Sequence, residues 1–318
     1  MWDLISENAK RKNNMKQLIA SLLLCMVCSA ANAQSDAQYL PQDSVKVTNL
    51  IKEGRQYLNK QGKNDAPLTL FFARKLLGLP YVAHTLDKNK EERLVINLRE
   101  MDCTTLVENV LALTFATLEV SGKLNPKYGG RVMSHFGIFA YYLRMLRYEK
   151  GQVDYTKRNH YFTGWIENNC KDVLVMDVSG GYTFNVKTVK QKVKVNYMST
   201  HPDAYAMLKQ HPKWVGEIKK TEKHLSTLSC PYIPKTEVKN TKDMRSLVKD
   251  GDILAIVTDK PGLDIAHLGT AVWKEDGLHM LHASSVQKRV VADKINLRQY
   301  LDNHKSHLGI RVLRRAPR

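Results

Sequence analysis

The strongest constraint on the fold is a change in hydrophobic period along the chain. Apolar residues recur with helical spacing in the first half, whereas much of the second half alternates with the period of two that strands require. Predicted helices cover 45–61, 67–77, a segment that starts at Cys103, and 138–148. Predicted strands cover 94–98, 189–195, 251–257, 267–273, 278–283 and 309–313. Helices followed by strands, without alternating βαβ units, predict an α+β fold with N-terminal helices packed on a C-terminal antiparallel sheet.

The first 33 residues have the composition of a secretory signal peptide. Its basic start comprises Lys10, Arg11, Lys12 and Lys16. An apolar run at 18–27 and a small-x-small site at 31–33 follow, and Met15 is an alternative start. The apolar run is too short to span a bilayer, so we expect cleavage and an exported protein, periplasmic or associated with the cell envelope, without a membrane span. A lipoprotein anchored at Cys25 or Cys28 is the alternative.

The rest of the chain divides into a linker and one domain. Residues 34–44 are polar and predict a flexible linker, and residues 45–318 predict a single domain. The stretch 196–245 is rich in lysine and lacks a clear period, so we expect an irregular insertion there. We expect the protein to be a monomer.

The chain is strongly basic, and this limits its partners. Its net charge is +18, and without residues 1–33 it keeps 45 basic and 29 acidic residues, a net charge of +16. An exported protein with this charge is attracted to polyanions such as peptidoglycan, its attached polymers and anionic lipid surfaces. Aromatic residues do not interleave with the basic ones and no nucleic-acid-binding motif is present, so we expect no nucleic-acid partner.

Three cysteines follow the predicted signal peptide: Cys103, Cys170 and Cys230. An odd number leaves at least one thiol unpaired, and their wide spacing does not fit a zinc ribbon or a thioredoxin-like pair. A disulfide between Cys170 and Cys230 stays open at this point. Cys103 is different, because it follows Asp102, a good N-cap, at the start of the most apolar predicted helix.

The position of Cys103 predicts a nucleophile. Unpaired amides and the dipole at a helix N-terminus favour negative charge, so we expect the thiol to be shifted toward the reactive thiolate. A base and an orienting partner are then required, and His267 and His282 can supply them. The two histidines are 15 residues apart in a predicted hairpin, so in a regular hairpin their side chains share one face. A four-residue loop would place them within about 8 Å and a tight Asp276-Gly277 turn further apart, and the sequence leaves this register open.

Four short stretches carry a family resemblance. Asp102-Cys103-Thr104-Thr105 resembles the Asp-Cys-Ser-Gly element of the NlpC/P60 cell-wall cysteine peptidases. His267-Leu268-Gly269 and Leu281-His282-Ala283-Ser284 resemble their second element, which carries the histidine and its polar partner. The Thr-Thr variant, the helical N-terminal part and the stretch Arg158-x-His160-Tyr161-Phe162-x-x-Trp165 are more specifically similar to the DUF1460 branch. The resemblance covers about residues 45–318.

The resemblance implies a papain-like NlpC/P60 fold in which 45–318 is a catalytic domain. It implies Cys103 as nucleophile, His267 as base and His282 as orienting residue, with no metal or cofactor. The DUF1460 branch is associated with cleavage of the N-acetylmuramoyl-L-alanine amide in peptidoglycan fragments, notably anhydromuropeptides. The substrate contacts that we expect are Asp102, Thr104, Tyr161, Trp165 and Ser284. For Asp102 the N-cap role competes with substrate contact, and for the two aromatic residues burial in the core competes with it.

Three other functions stay open. The departure from Asp-Cys-Ser-Gly argues against ordinary NlpC/P60 endopeptidase specificity, but cleavage within the stem peptide is the first alternative. The second is a zinc hydrolase that uses Cys103, His267 and His282 as ligands. The third is a non-catalytic cell-wall-binding protein, which the net charge favours.

Overall fold

The computed structural model of the chain describes residues 37–61, 67–125, 132–180 and 185–317. Residues 1–38 and 39–318 form separate units, and strand β1 (Ala37–Gln38) is the described part of the first. The predicted signal peptide lies outside the described residues. Helix α1 (Pro41–Gln61) begins inside the predicted linker, so the last four residues of 34–44 are helical. They extend the helix because Asp43, at 1% exposure, accepts hydrogen bonds from the amides of Leu40 and Leu98.

Helices dominate the first half of the second unit. They are α1, α2 (Leu68–Lys75), α3 (Cys103–Val120), α4 (His135–Arg147) and α5 (Phe162–Lys171), with the short strand β2 (Leu94–Val95) before α3. Helix α3 is central and packs against α1, α2 and α4. It has the length and hydropathy of a membrane span, yet 78% of it is buried within the protein. A helix that is apolar on all sides and surrounded by protein is a core helix.

The second half forms one antiparallel sheet. Its strands are β3 (Val175–Asp177), β4 (Val189–Lys192), β5 (Ser229–Pro234), β6 (Ile253–Thr258), β7 (Ile265–Lys274), β8 (Gly277–Ser284), β9 (Arg289–Ala292) and β10 (His307–Arg315). The spatial order is β4-β5-β10-β6-β7-β8-β9, and β3 also pairs with β10. The last strand of the chain therefore lies near the middle of the sheet. Gly309 permits this, since a Cβ there would fall 2.0 Å from the Ile233 carbonyl oxygen of β5.

The two halves meet where α3 packs against β7 and β8. An apolar cluster that includes Leu254, Ile256, Met280 and Ile310 fills the space between the sheet and helix α10 (Leu297–Asp302). The predicted α+β class, with N-terminal helices and a C-terminal antiparallel sheet, is confirmed. The contact of α3 with the central hairpin brings the two predicted catalytic segments together.

The segment 196–245 is regular, contrary to the prediction of an irregular insertion. It contains α6 (Tyr197–Thr200), α7 (Ala206–Gln210), α8 (Trp214–Leu225), β5 and α9 (Lys242–Leu247). Single-turn 3₁₀ helices at Pro202–Ala204 and Lys235–Glu237 also belong to this segment. Two others, Glu149–Gly151 and Tyr155–Lys157, lie between α4 and α5. Met198, Leu208, Ile218 and Leu225 share a buried cluster with Val193. Widely spaced apolar residues among lysines therefore suffice to fold this segment, because each faces the same cluster.

Candidate active site

Cys103 is the first residue of α3, and the sequence around it fixes that position. The Asp102 carboxylate accepts a hydrogen bond from the Thr105 amide at 2.8 Å, and the Asp102 amide donates to the Thr105 hydroxyl at 2.9 Å. This reciprocal pair is a capping box, which satisfies two donors at the helix start. The carboxylate of Asp102 is thus engaged in the cap, although the residue also lines the cavity described next.

A cavity of about 400 Å³ lies in front of Cys103. The start of α3 contributes Cys103 and Thr104 to its wall, and the first part of β7 contributes His267 and Leu268. Tyr161, which precedes α5, lines the same space. The predicted nucleophile and the predicted base, 164 positions apart in the sequence, therefore face one cavity.

The ionisation of Cys103 differs from the prediction. Burial, followed by the nearby charge of Asp102, raises the pKa of the thiol to about 12. Hydrogen bonds from the Thr104 hydroxyl, the Leu268 amide and the Cys103 amide act in the opposite direction, but they are smaller. The structure does not favour a thiolate at rest, because loss of solvent around this partly exposed thiol acts against the stabilisation available at the helix end.

The two predicted histidines contact each other. His267 Nε2 lies 2.6 Å from His282 Nδ1, and the two rings are nearly perpendicular. In the hairpin Lys274 pairs with Gly277, so the turn has two residues. Continued along the strands, this register makes His282 a diagonal neighbour of His267 on the same face, as the odd separation predicts.

His267 is neutral at physiological pH. Burial, with smaller contributions from His282, His307 and His304, lowers its pKa to about 3. The Tyr300 ring packs against both members of the pair, with centroid distances of 6.4 Å to His267 and 5.9 Å to His282. Because Nε2 of His267 is directed at His282, its Nδ1 is the nitrogen left for the cavity.

Asp293 extends the histidine pair and was not predicted. Its Oδ2 lies 2.9 Å from His282 Nε2, and the two residues are 8% and 3% exposed. Asp293 directly follows β9, the strand that pairs with β8 and places Val291 opposite His282. An aspartate two positions beyond that partner was the available signal, but sequence alone did not define the register of β9.

Two of the predicted substrate contacts, Thr104 and Tyr161, line the cavity. Thr104 lies in the wall beside Cys103. Tyr161 also lines it but is 5% exposed, and its hydroxyl donates to Glu222 at 2.7 Å and accepts from the Met198 amide at 3.0 Å. Tyr161 therefore connects the cavity wall to α8 and the segment that precedes it.

Two other predicted contacts are wrong. Trp165 is 0% exposed and stacks on Phe162 at 4.7 Å between ring centroids, so it is a core residue of α5. Ser284 is 5% exposed and its hydroxyl accepts from the Gln287 amide at 3.1 Å, which serves the turn after β8. Neither residue belongs to the described wall of the cavity.

Charged residues also line the wall, and the sequence motif indicated Arg158 but none of the ion pairs around it. Arg158 is 8% exposed at its side chain and pairs with Asp87 and Glu92. Arg147 and Glu108 form a fully buried pair at 2.7 Å. Because such pairs link residues distant in sequence, no local pattern could identify them.

Tyr81 is a further residue of the wall that the sequence did not indicate. Burial, then the nearby Cys103 and Asp102, raise the pKa of its phenol, so the hydroxyl stays protonated. A phenol held in this form beside Cys103 can donate a hydrogen bond to a bound substrate. It reaches the site because it pairs with Met101, immediately before the α3 cap.

The other thiols and the metal-ligating residue types add no second centre in the part of the chain that the structure describes. Cys170 and Cys230 are free thiols, so the disulfide that the sequence left open is not formed. Across the described ranges, no three His, Cys, Asp or Glu side chains are grouped as metal ligands.

Comparison with known proteins identifies the family. A family model described as AmiA-like, N-acetylmuramoyl-L-alanine amidase-like, matches residues 71–310. The chain belongs to this AmiA-like family. The matched region contains every member of the site, from Tyr81 to Asp293.

Solved structures agree with the AmiA-like assignment. An N-acetylmuramoyl-L-alanine amidase from Bacteroides uniformis is 41% identical, with 78% of this chain and 98% of that chain covered at a TM-score of 0.67. A protein named a putative xylanase from Bacteroides fragilis is 40% identical, with 77% and 99% covered at a TM-score of 0.67. A Legionella pneumophila protein of the DUF1460 family is 22% identical, with 86% and 95% covered at a TM-score of 0.60, and shares the fold. No curated protein matches.

These findings confirm the predicted resemblance to the amidase-like proteins, and the DUF1460 protein shares the fold. The wider placement among NlpC/P60 proteins stays a prediction.

Proposed function

We propose that this protein is an exported cysteine amidase that cleaves the N-acetylmuramoyl-L-alanine bond of peptidoglycan fragments, with anhydromuropeptides as substrates. Family membership supports the amidase activity. The observation that supports the cysteine mechanism is the shared cavity. Cys103 and His267 line the same space, and His282 contacts Nε2 of the His267 imidazole. A nucleophile, a base and an orienting group are the parts that such a reaction requires.

The first half of the reaction forms a thioester. As the sulfur of Cys103 attacks the lactyl carbonyl carbon, its proton passes to Nδ1 of His267, because both groups are neutral beforehand. The Cys103 amide and the Tyr81 phenol can donate to the oxyanion that develops. The carbon–nitrogen bond then breaks and His267 returns the proton to the amino group of L-alanine, which leaves as the free N-terminus of the peptide.

The second half regenerates the enzyme. A water molecule gives a proton to His267 and adds to the thioester carbonyl, and the carbon–sulfur bond breaks. The sulfur regains its proton from the imidazole, and the muramic acid is released with a free lactyl carboxyl group. The reaction consumes one water and needs no redox partner.

The wall of the cavity argues against a glycosidase, the activity in the name of one structural neighbour. Glycosidases use two free carboxyl groups on either side of the bond. The carboxylates in the described wall have other roles: Asp87 pairs with Arg158, Glu108 pairs with Arg147, Asp102 caps α3, and Asp264 accepts the Thr163 amide at 2.6 Å. None of these carboxylates is left as a general acid or nucleophile.

Export and substrate attraction follow from the same proposal. Cleavage after residue 33 would release a protein with a net charge of +16 into the periplasm or cell envelope, where muropeptides are the partners. That charge attracts the carboxylates of the stem peptide, while the bond that is cleaved carries no charge. We propose that the released protein acts as a monomer.

Product analysis on defined anhydromuropeptides tests the proposal. We expect the protein to release free anhydro-sugar and an intact peptide that begins with L-alanine, detected by mass spectrometry. Cys103→Ala should abolish the release, whereas the matched variant Cys230→Ala should keep it, because Cys230 lies outside the cavity wall. Peptides cut within the stem would instead support the endopeptidase. Unchanged release by Cys103→Ala would refute the cysteine mechanism.

A further inference from the structure

The backbone of Asp293 is fixed independently of its side chain. Its amide donates to the Met280 carbonyl at 3.0 Å. Its own carbonyl accepts from His279 Nδ1 at 3.1 Å and from the Lys274 ammonium at 3.2 Å. The carboxylate is therefore not needed to hold this residue against β8, and it is directed at His282.

His282 Nε2 and Asp293 Oδ2 face each other in the protein interior. They lie 2.9 Å apart, and both residues are almost fully buried. Within the ranges that the structure describes, neither atom has a hydrogen-bond partner. A buried imidazole nitrogen and a buried carboxylate oxygen without partners are costly, so a small rotation that joins them is favoured.

The contact determines which nitrogens carry protons. A carboxylate only accepts, so Nε2 of His282 must carry a proton, and when the ring carries that single proton its Nδ1 is an acceptor. His267 Nε2 lies 2.6 Å from that acceptor and must donate to it. Nδ1 of the neutral His267 ring is therefore without a proton.

We propose that Asp293 is a positioning residue that, through His282, fixes the tautomer in which His267 Nδ1 can accept the proton of Cys103. The proposal rests on the proposed function for its catalytic consequence, while the tautomers themselves do not depend on the substrate. When His267 takes the proton of Cys103, the positive charge formed is adjacent to His282 and, through it, to the carboxylate of Asp293. The bonds that form and break in the reaction stay the same, and Asp293 keeps its own charge.

Two variants of Asp293 distinguish the loss of its hydrogen-bond-accepting oxygen from the loss of its negative charge. Asp293→Leu removes both, so His282 should lose its fixed tautomer and kcat should fall by about 100-fold, less than the ~10⁴-fold cost of a base held wholly in the wrong tautomer, because His267 still samples the productive one. Asp293→Asn keeps an oxygen that can accept and loses the charge, so kcat should fall by about 10-fold. KM should stay within about twofold in both, because Asp293 does not line the described cavity.

The direct readout is the imidazole ¹⁵N spectrum of the purified protein labelled at histidine. We expect His267 and His282 in the wild type both to carry the proton on Nε2, and the Leu variant to lose that pattern. The control is Asp276→Asn, which removes the same charge from the His279 contact at 2.8 Å in the same hairpin and should change neither the His282 signal nor kcat.

Unchanged tautomers in Asp293→Leu, or a kcat within threefold of the wild type, would overturn the proposal. If Asp293→Leu does not fold, Asp293→Ala gives the same tautomer measurement. An inactive wild type, or an active Cys103→Ala, would count against the proposed function alone, since the spectrum is decided without turnover.

Discussion

The burial of Cys103 leads to a prediction about its reactivity without substrate. A thiol with an ordinary pKa of 9.0 is ionised in about one molecule in 10² at pH 7, whereas a pKa of about 12 leaves about one in 10⁵. A raised pKa means that the neutral form persists until the pH approaches that value. The thiolate, and with it the alkylation rate, should therefore rise continuously between pH 5 and 10 without a plateau.

The assay is carbamidomethylation by iodoacetamide, followed by mass spectrometry, in a variant that carries Cys170→Ser and Cys230→Ser. At pH 7 Cys103 should react about 10³-fold more slowly than an exposed thiol, from its thiolate fraction alone. Because His267 is neutral with a pKa of about 3, His267→Ala should leave the pH profile unchanged. The control is the same measurement in denaturant, where the ordinary rate should return.

A fast plateau between pH 4 and 8 that disappears in His267→Ala would refute this reasoning. It would mean that the thiol and the imidazole form an ion pair at rest, and that their mutual attraction exceeds the cost of burial.

Two further predictions concern the support of the site. Glu108→Ala leaves the guanidinium of Arg147, 2% exposed, without its counter-ion, so the free energy of unfolding in urea should fall by about 3–5 kcal/mol, and a loss below about 1 kcal/mol would contradict the burial argument. Gly269→Ala, in β7, the strand that carries His267, places a Cβ 2.3 Å from Met280 Cγ, so it should lower the free energy of unfolding by about 1–3 kcal/mol and lower kcat. Its control, Gly216→Ala, meets open space in α8 and should increase stability by up to about 1 kcal/mol, and equal effects of the two would exclude a packing cause.

Local patterns predicted the parts of the site that depend on neighbours in sequence. Asp102 and Thr105 form the cap because the positions Ncap and N3, three residues apart in sequence, lie close together in space at the start of a helix. His267 and His282 share a face because an even-numbered hairpin loop, of two residues or of four, leaves residues at an odd separation on the same side of the sheet. The α+β class followed in the same way from the order of the two hydrophobic periods.

Features that depend on distant contacts were not predictable. Asp293 reaches His282 only through the register of β9, and Arg147 reaches Glu108 only through the packing of α4 on α3. Trp165 was misassigned because an aromatic-rich stretch does not indicate which ring faces the core. The ionisation of Cys103 depends on the depth of the cavity, which no local pattern determines.

The central place of β10 has a consequence for incomplete chains. A polypeptide that stops before His307 would contain β5 and β6 but not the strand that hydrogen-bonds between them. The edge of β6, whose residues 253–258 are all buried in the complete sheet, would then offer unpaired amides and carbonyls to other molecules. Truncated products should therefore aggregate or be degraded rather than persist as partly active hydrolases, so that the closing of the sheet acts as a check on complete synthesis.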